Sequence, residues 1–216
     1  MTIPVIQADW PAAANVVAGT TTRIASDDAL PPGIRYLNQV HGASVVPVVS
    51  IRESDEPVDA DAVFGRERGD CCAVRTADCL PVLFCAKDGR AAGAAHAGWR
   101  GLAAGVLENT VAAMGVPEAD LLVWMGPAIS QPNFEVGEEV RDAFLKEDPA
   151  ASGLFIPNAR GRWQADLYGL ARRRLSALGI AAIYGGRWCT FADAERFYSY
   201  RRAADSGRMV SFVLLK

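Results

Sequence analysis

The chain has 216 residues, is 50% hydrophobic and 22% charged, and carries a formal net charge of -3. That balance supports one substantial core and predicts a single domain over residues 1–216; it leaves no broad basic field for nucleic acid. The opening MTIPVIQADWPAAANVV has no basic start followed by a continuous apolar stretch, and no apolar run approaches membrane-spanning length. The expectation is a cytoplasmic monomer with neither a nucleic-acid nor a membrane partner.

In chain order, the first stretch with chemical content is NQVHGAS around His41, one of only two histidines. CCAVRTADCLPVLFCAKDGRAAGAAHAGW then reads as a buried β-hairpin: apolar residues 71 to 74, a polar break RTAD, an apolar run 79 to 85, a KDG turn, and a return strand ending at His96. From Gly101, GLAAGVLENTVAAMG places Leu102, Val106, Val111 and Met114 near one face of a helix that Gly115 and Pro117 stop. LLVWMG at 121 to 126 predicts a strand. GEEVRDAFLKED predicts a short amphipathic helix, and QADLYGLARRRLSALGI a second with a basic outer face. The terminal RFYSYRRAADSGRMVSFVLL predicts two strands around a glycine-containing loop. Strands and helices mix without a βαβ repeat, which favours a layered α+β domain over a doubly wound one.

The five cysteines are an odd set with Cys71 and Cys72 adjacent, so a disulfide framework is not expected and most are read as small buried hydrophobes. Three residues stand apart. His41, Cys79 and His96 offer two imidazoles and a thiol, the ligand types of a catalytic zinc site that keeps a fourth position open. The competing reading is two satisfied core histidines and an inert thiol. The polar break weighs on the metal side, because Arg75, Thr76 and Asp78 precede Cys79 where packing requires no polar residue, and a neighbouring cation favours the thiolate. Asp78 is a candidate for orienting a ligand histidine or carrying a proton; an Asx-type turn is its plainer role.

The motifs NQVHG, Asp61–Ala62, TADCLPVLF, AAHAGWRG, GPAI followed by FEVG, Cys189–Thr190, and FYSYRR followed by GRM occur in that order. This resembles the YfiH family, also called the laccase domain or purine nucleoside phosphorylase family, from about residue 15 to the end. The resemblance implies an α/β/β/α layered fold and a Zn2+ site at His41, Cys79 and His96. It also implies purine nucleosides and phosphate as substrates: phosphorolysis of adenosine, inosine and methylthioadenosine, and deamination of adenosine. The chain departs from the family where members often carry cysteine and tyrosine after GPAI, since it reads SQPNFEVG from Ser130 to Gly137. That departure bears on the pocket wall and on substrate preference.

Within this reading, the helix starting near Arg100 offers free amides and a positive dipole end for phosphate, with Arg100 and Arg75 as candidate grips. Asp61 and Asp78 are the carboxylates nominated to move protons in deamination. A cysteine hydrolase using Cys79 and a histidine is the rival enzyme class, and peptidoglycan precursor editing, with which some bacterial relatives are associated, is another alternative. A zinc-stabilised binding domain with no open coordination position is the non-enzymatic reading. A true multicopper polyphenol oxidase needs many imidazoles where this chain has two, so copper is expected only as an adventitious occupant.

Overall fold

A computed structural model describes residues 4–216. Its centre is a six-stranded sheet in the order β12 (Ile183–Gly185), β8 (Leu121–Met125), β6 (Leu80–Ala86), β7 (Ala92–Ala97), β4 (Ala62–Gly65), β3 (Val45–Pro47). A four-stranded sheet, β1 (Val5–Gln7), β2 (Val16–Thr21), β13 (Met209–Leu215), β5 (Cys71–Thr76), lies against one face of it. The helices cover the other face: α3 (Val106–Met114) and α5 (Leu167–Ala177), with the short α2 (Trp99–Ala103) and α4 (Glu138–Leu145) beside them. A small third sheet of β10 (Phe155–Pro157), β11 (Trp163–Ala165) and β9 (Glu135–Val136) borders α4, and α1 (Val48–Glu53) follows β3. This is the expected mixed α+β domain in layers.

The alternation of β6 shows why two layers form. Val82 and Phe84 enter the helix-side core with Leu102, Val111 and Leu170, while Leu83 between them enters the inter-sheet core with Val74, Trp124 and Val213. A strand buried on both faces must be apolar at every position, as LPVLFCA is. The outer face of the four-stranded sheet is closed by a thinner layer, in which Leu30, Ile34 and Tyr36 cover Ala73, Val210 and Phe212. Among the described residues no helix is long and apolar enough to cross a membrane.

Three local expectations need correction. The hairpin predicted over 71–97 is real only for β6 and β7. β5 instead pairs with β13 in the other sheet; the first two residues of the polar break RTAD, Arg75 and Thr76, end β5, and residues 77–79 make the crossing between sheets. The helix expected from Gly101 is two helices, divided at Gly105, whose φ of +89° suits glycine. The C-terminal segment supplies one strand, β13, and not two; residues 200–202 form a turn, and the Ser199 hydroxyl before it and the Arg201 amide within it donate to the Asp78 carboxylate. α4 and α5 fall inside the predicted helical stretches.

Candidate metal centre and its pocket

The β6–β7 register brings two of the three candidate ligands together. Pro81 pairs with His96 and Leu80 with Ala97, so Cys79 stands just beyond the ladder, opposite Gly98. A side chain at 98 would intrude, since a Cβ there would come within 2.9 Å of Cys79 Sγ and 3.4 Å of His41 Cδ2. His41 arrives from the loop before β3, in a left-handed conformation of φ 60°. Ligand atoms of His41, Cys79 and His96 all lie within 4.8 Å of one another, and the two imidazole rings meet edge to face with centroids 4.8 Å apart.

Asp61 holds this corner in place. It directly precedes β4, which pairs with β7, and its backbone oxygen accepts from His96 N at 2.7 Å. Its carboxylate Oδ1 accepts from His96 Nδ1 at 2.7 Å and His41 N at 3.0 Å, and Oδ2 accepts from Gly42 N at 2.6 Å and Val40 N at 3.2 Å. Four bonds fill the acceptor capacity of a carboxylate, and the side chain is fully buried. With Nδ1 spent on Asp61, His96 keeps Nε2 as its free ligand atom.

The electrostatics follow from this packing. Burial alone would raise the Asp61 pKa, but the His96 hydrogen bond and the Gly42 and His41 amides hold it below the usual carboxylate range. For Cys79, burial is again outweighed, here by hydrogen bonds from His41 and His96, and the thiol falls to about 6. His96 is lowered by burial and raised more by Asp61 and Cys79, ending at about 9. Cys71 and Cys85 have no such partners, and burial pushes both to about 12. Two imidazoles and a thiolate on a prearranged scaffold, in a cradle that only glycine at 98 leaves open, are a donor set suited to a divalent ion of zinc type.

The corner opens into a pocket of about 1100 Å³. Arg75 and Arg100 both line it, and the structure brings them to the same cavity as the three candidate ligands. The Arg100 guanidinium lies 4.5 Å from the Trp99 ring and that of Arg75 lies 5.0 Å from Tyr36, and both arginines are exposed. Gln39 fixes the Arg75 backbone, donating to its carbonyl and accepting from its amide at 2.8 Å each. Asp78 also lines the pocket, but its carboxylate accepts from Thr190 Oγ1 at 2.6 Å, Arg201 N at 2.7 Å and Ser199 Oγ at 2.9 Å. Arg162, Tyr200, Arg201 and Arg208, none of them among the candidate site residues of the sequence, also stand in the wall. The signal for three of them is the crowding of cations and aromatics in FYSYRR and GRM.

His41 and Asp78 are the two non-glycine residues with positive φ among the described residues, at 60° and 85°. Such conformations persist where the surroundings over-determine them, and here both border one pocket.

A family model described as multi-copper polyphenol oxidoreductase laccase matches residues 11–216. Purine nucleoside phosphorylase PA4543 of Pseudomonas aeruginosa is 46% identical over 238 residues, covering 96% of this chain and 97% of the relative. Purine nucleoside phosphorylase YfiH of Escherichia coli is 48% identical over 186 residues, 86% of this chain and 75% of that one. Among solved structures, Neisseria meningitidis protein NMB0706 superimposes with a TM-score of 0.92 at 41% identity, over 99% of this chain and 100% of the other.

Proposed function

We propose, from the premise that this chain belongs to the multi-copper polyphenol oxidoreductase laccase family and to its YfiH branch, that it is a zinc-dependent purine nucleoside phosphorylase. Adenosine, inosine and methylthioadenosine are the proposed substrates with phosphate, and deamination of adenosine is the proposed second reaction. The observation that carries the reading is the convergence of His41, Cys79 and His96 on one corner of a pocket with room for a nucleoside and an anion. The family description names copper, but two histidines in the whole chain cannot furnish both a blue-copper centre and a multinuclear cluster. A true laccase is therefore not proposed.

Zn2+ would be held by His41, Cys79 and His96, where it supplies Lewis-acid chemistry beside the substrate. The other parts belong to the chain. Asp61, which accepts from four donors, orients His96 and closes the 40–42 loop around it. Arg100 and Arg75, both in the pocket wall, receive the attacking phosphate. A phosphate oxygen bonds to C1′ as the glycosidic bond breaks, and the electron pair of that bond leaves with the base. The proton that the departing purine takes up is the one hydrogen phosphate loses, so phosphorolysis balances without a side-chain acid.

One observation favours a second reading. Cys79 with its thiol near 6 and two histidines donating to it has the character of a nucleophile, as a cysteine hydrolase requires. Metal removal and restoration separates the two. On the phosphorylase reading the purified protein carries about one zinc per chain, as a three-ligand mononuclear site requires. A chelator abolishes free-base release from inosine and conversion of adenosine to inosine, and zinc restores both. Full activity in the stripped protein, lost on alkylation of Cys79, establishes the hydrolase instead.

A further inference from the structure

The pocket wall contributed by residues 200–208 is anchored at its start by the Asp78 carboxylate. Asp78 accepts from Ser199 Oγ at 2.9 Å and Arg201 N at 2.7 Å, the two residues that flank Tyr200, while its other oxygen accepts from Thr190 Oγ1 at 2.6 Å. Arg201 is fixed a second time, because both terminal nitrogens of its guanidinium donate to the Glu135 carbonyl at 3.1 Å. The backbone is therefore pinned on both sides of Tyr200. The side chain between the pins is left in the open: Tyr200 is 56% exposed and lines the pocket.

An exposed ring on a fixed backbone is unusual in this cavity. Two other aromatic residues, Trp99 and Phe134, face it besides the histidines, and both are committed elsewhere. Phe134 is 9% exposed and belongs to the helix-side core, and Trp99 packs against that core with the Arg100 guanidinium on its ring. Arg208 lies 5.8 Å from the centre of the Tyr200 ring, and a cation on one face leaves the other face for a planar partner. A flat heteroaromatic base stacks on such a surface whatever its edge pattern, and a preorganised ring spends little entropy in doing so.

We propose that Tyr200 is the stacking platform for the purine base, and that Asp78 is the positioning residue that presents it. This rests on the nucleoside reading above and deepens it by naming the residue that selects a planar base. Asp78 needs both carboxylate oxygens for this task, because donors approach each of them. Asparagine would turn an amide donor toward one set. The left-handed backbone at Asp78, φ 85°, places this clamp directly before the ligand Cys79, so the metal corner and the base platform share one rigid turn.

The test is inosine binding measured by calorimetry in the absence of phosphate, beside steady-state phosphorolysis, on the metal-loaded protein. Tyr200→Ala should weaken binding and raise KM by roughly 10- to 100-fold, with kcat changed by less than about threefold. Zinc content and Tm should match wild type, because an exposed side chain is removed. Tyr200→Phe keeps the ring and should restore binding to within about twofold. Asp78→Asn should raise KM in the same way. Should that variant fold poorly, Ser199→Ala removes a single donor, and Ser199→Thr, which keeps the hydroxyl, should rescue it. Unchanged binding in Tyr200→Ala, or no measurable binding of inosine by wild type, overturns the inference. Binding that depends on Tyr200 in a protein that releases no base with phosphate supports the platform and overturns the phosphorylase reading.

Discussion

The metal corner and the arginine-lined mouth of the same pocket are built in opposite ways. At the corner, the Asp61 carboxylate is buried and filled by four donors, and His96 is 3% exposed on a strand in the middle of a sheet. At the mouth, Arg75 and Arg100 are exposed and rest on aromatic rings, with no carboxylate in ion-pair contact among the described residues. A metal ion needs its ligands fixed within fractions of an ångström, which secondary structure and saturated hydrogen bonds provide. An anion that arrives and leaves each cycle needs available charge in water-accessible positions. Damage to the corner should therefore empty the site, whereas damage to the mouth should leave a loaded but slower enzyme.

The largest effect expected is at the corner. Cys79→Ala and His96→Ala should each lose most of the bound zinc and almost all activity, as elemental analysis after mild purification will show. Metal retained at wild-type level in both would break the contrast at its root. Asp61→Asn is the next step down, because it removes an orienting partner and no ligand. Loss of such a partner costs about 10- to 100-fold in metal affinity, readable by competition with a chromophoric chelator. Affinity equal to wild type would mean that the four donors to Asp61 serve the fold alone.

At the mouth, Arg100→Ala should slow phosphorolysis by about one to two orders of magnitude, the equivalent of one charge-assisted hydrogen bond. Zinc content should be unchanged and deamination should fall less. Equal loss of both reactions would place Arg100 on the nucleoside. The smallest effects are reserved for the other thiols: Cys71→Ala and Cys85→Ala should leave zinc stoichiometry intact. In metal-stripped protein near neutral pH, iodoacetamide should modify Cys79 ahead of Cys71 and Cys85, whose thiols stay protonated until about 12. The Cys79 rate should fall as pH drops below about 6, where its thiolate is lost, and zinc should protect it.

What the sequence disclosed and what it concealed divide along the same line. The three candidate ligands, the β6–β7 hairpin that brings two of them together, and the helical stretches of α4 and α5 follow from local pattern. The partner of β5 does not, because CCAV and LPVLFCA are both apolar runs and the polar break between them reads equally well as a hairpin turn or as a crossing between sheets. FYSYRR has the aromatic content of a strand, yet it turns around Asp78 through hydrogen bonds spanning more than a hundred positions. The hydrogen bonds of Asp61 are hidden for a similar reason: its donors come from residues 40–42 and 96, and the pairing of β4 with β7 sets His96 beside it. Residue types reveal which chemistry is available, and long-range pairing decides which carboxylates remain free to perform it.

The most direct measurement is the rate of free-base release from inosine as a function of phosphate concentration, in the zinc-loaded protein, with the sugar product identified. The account predicts a rate that rises with phosphate and saturates, one ribose 1-phosphate formed per base released, and conversion of adenosine to inosine that needs no phosphate. Base release indifferent to phosphate, with free ribose as the product, would contradict it and identify a hydrolase.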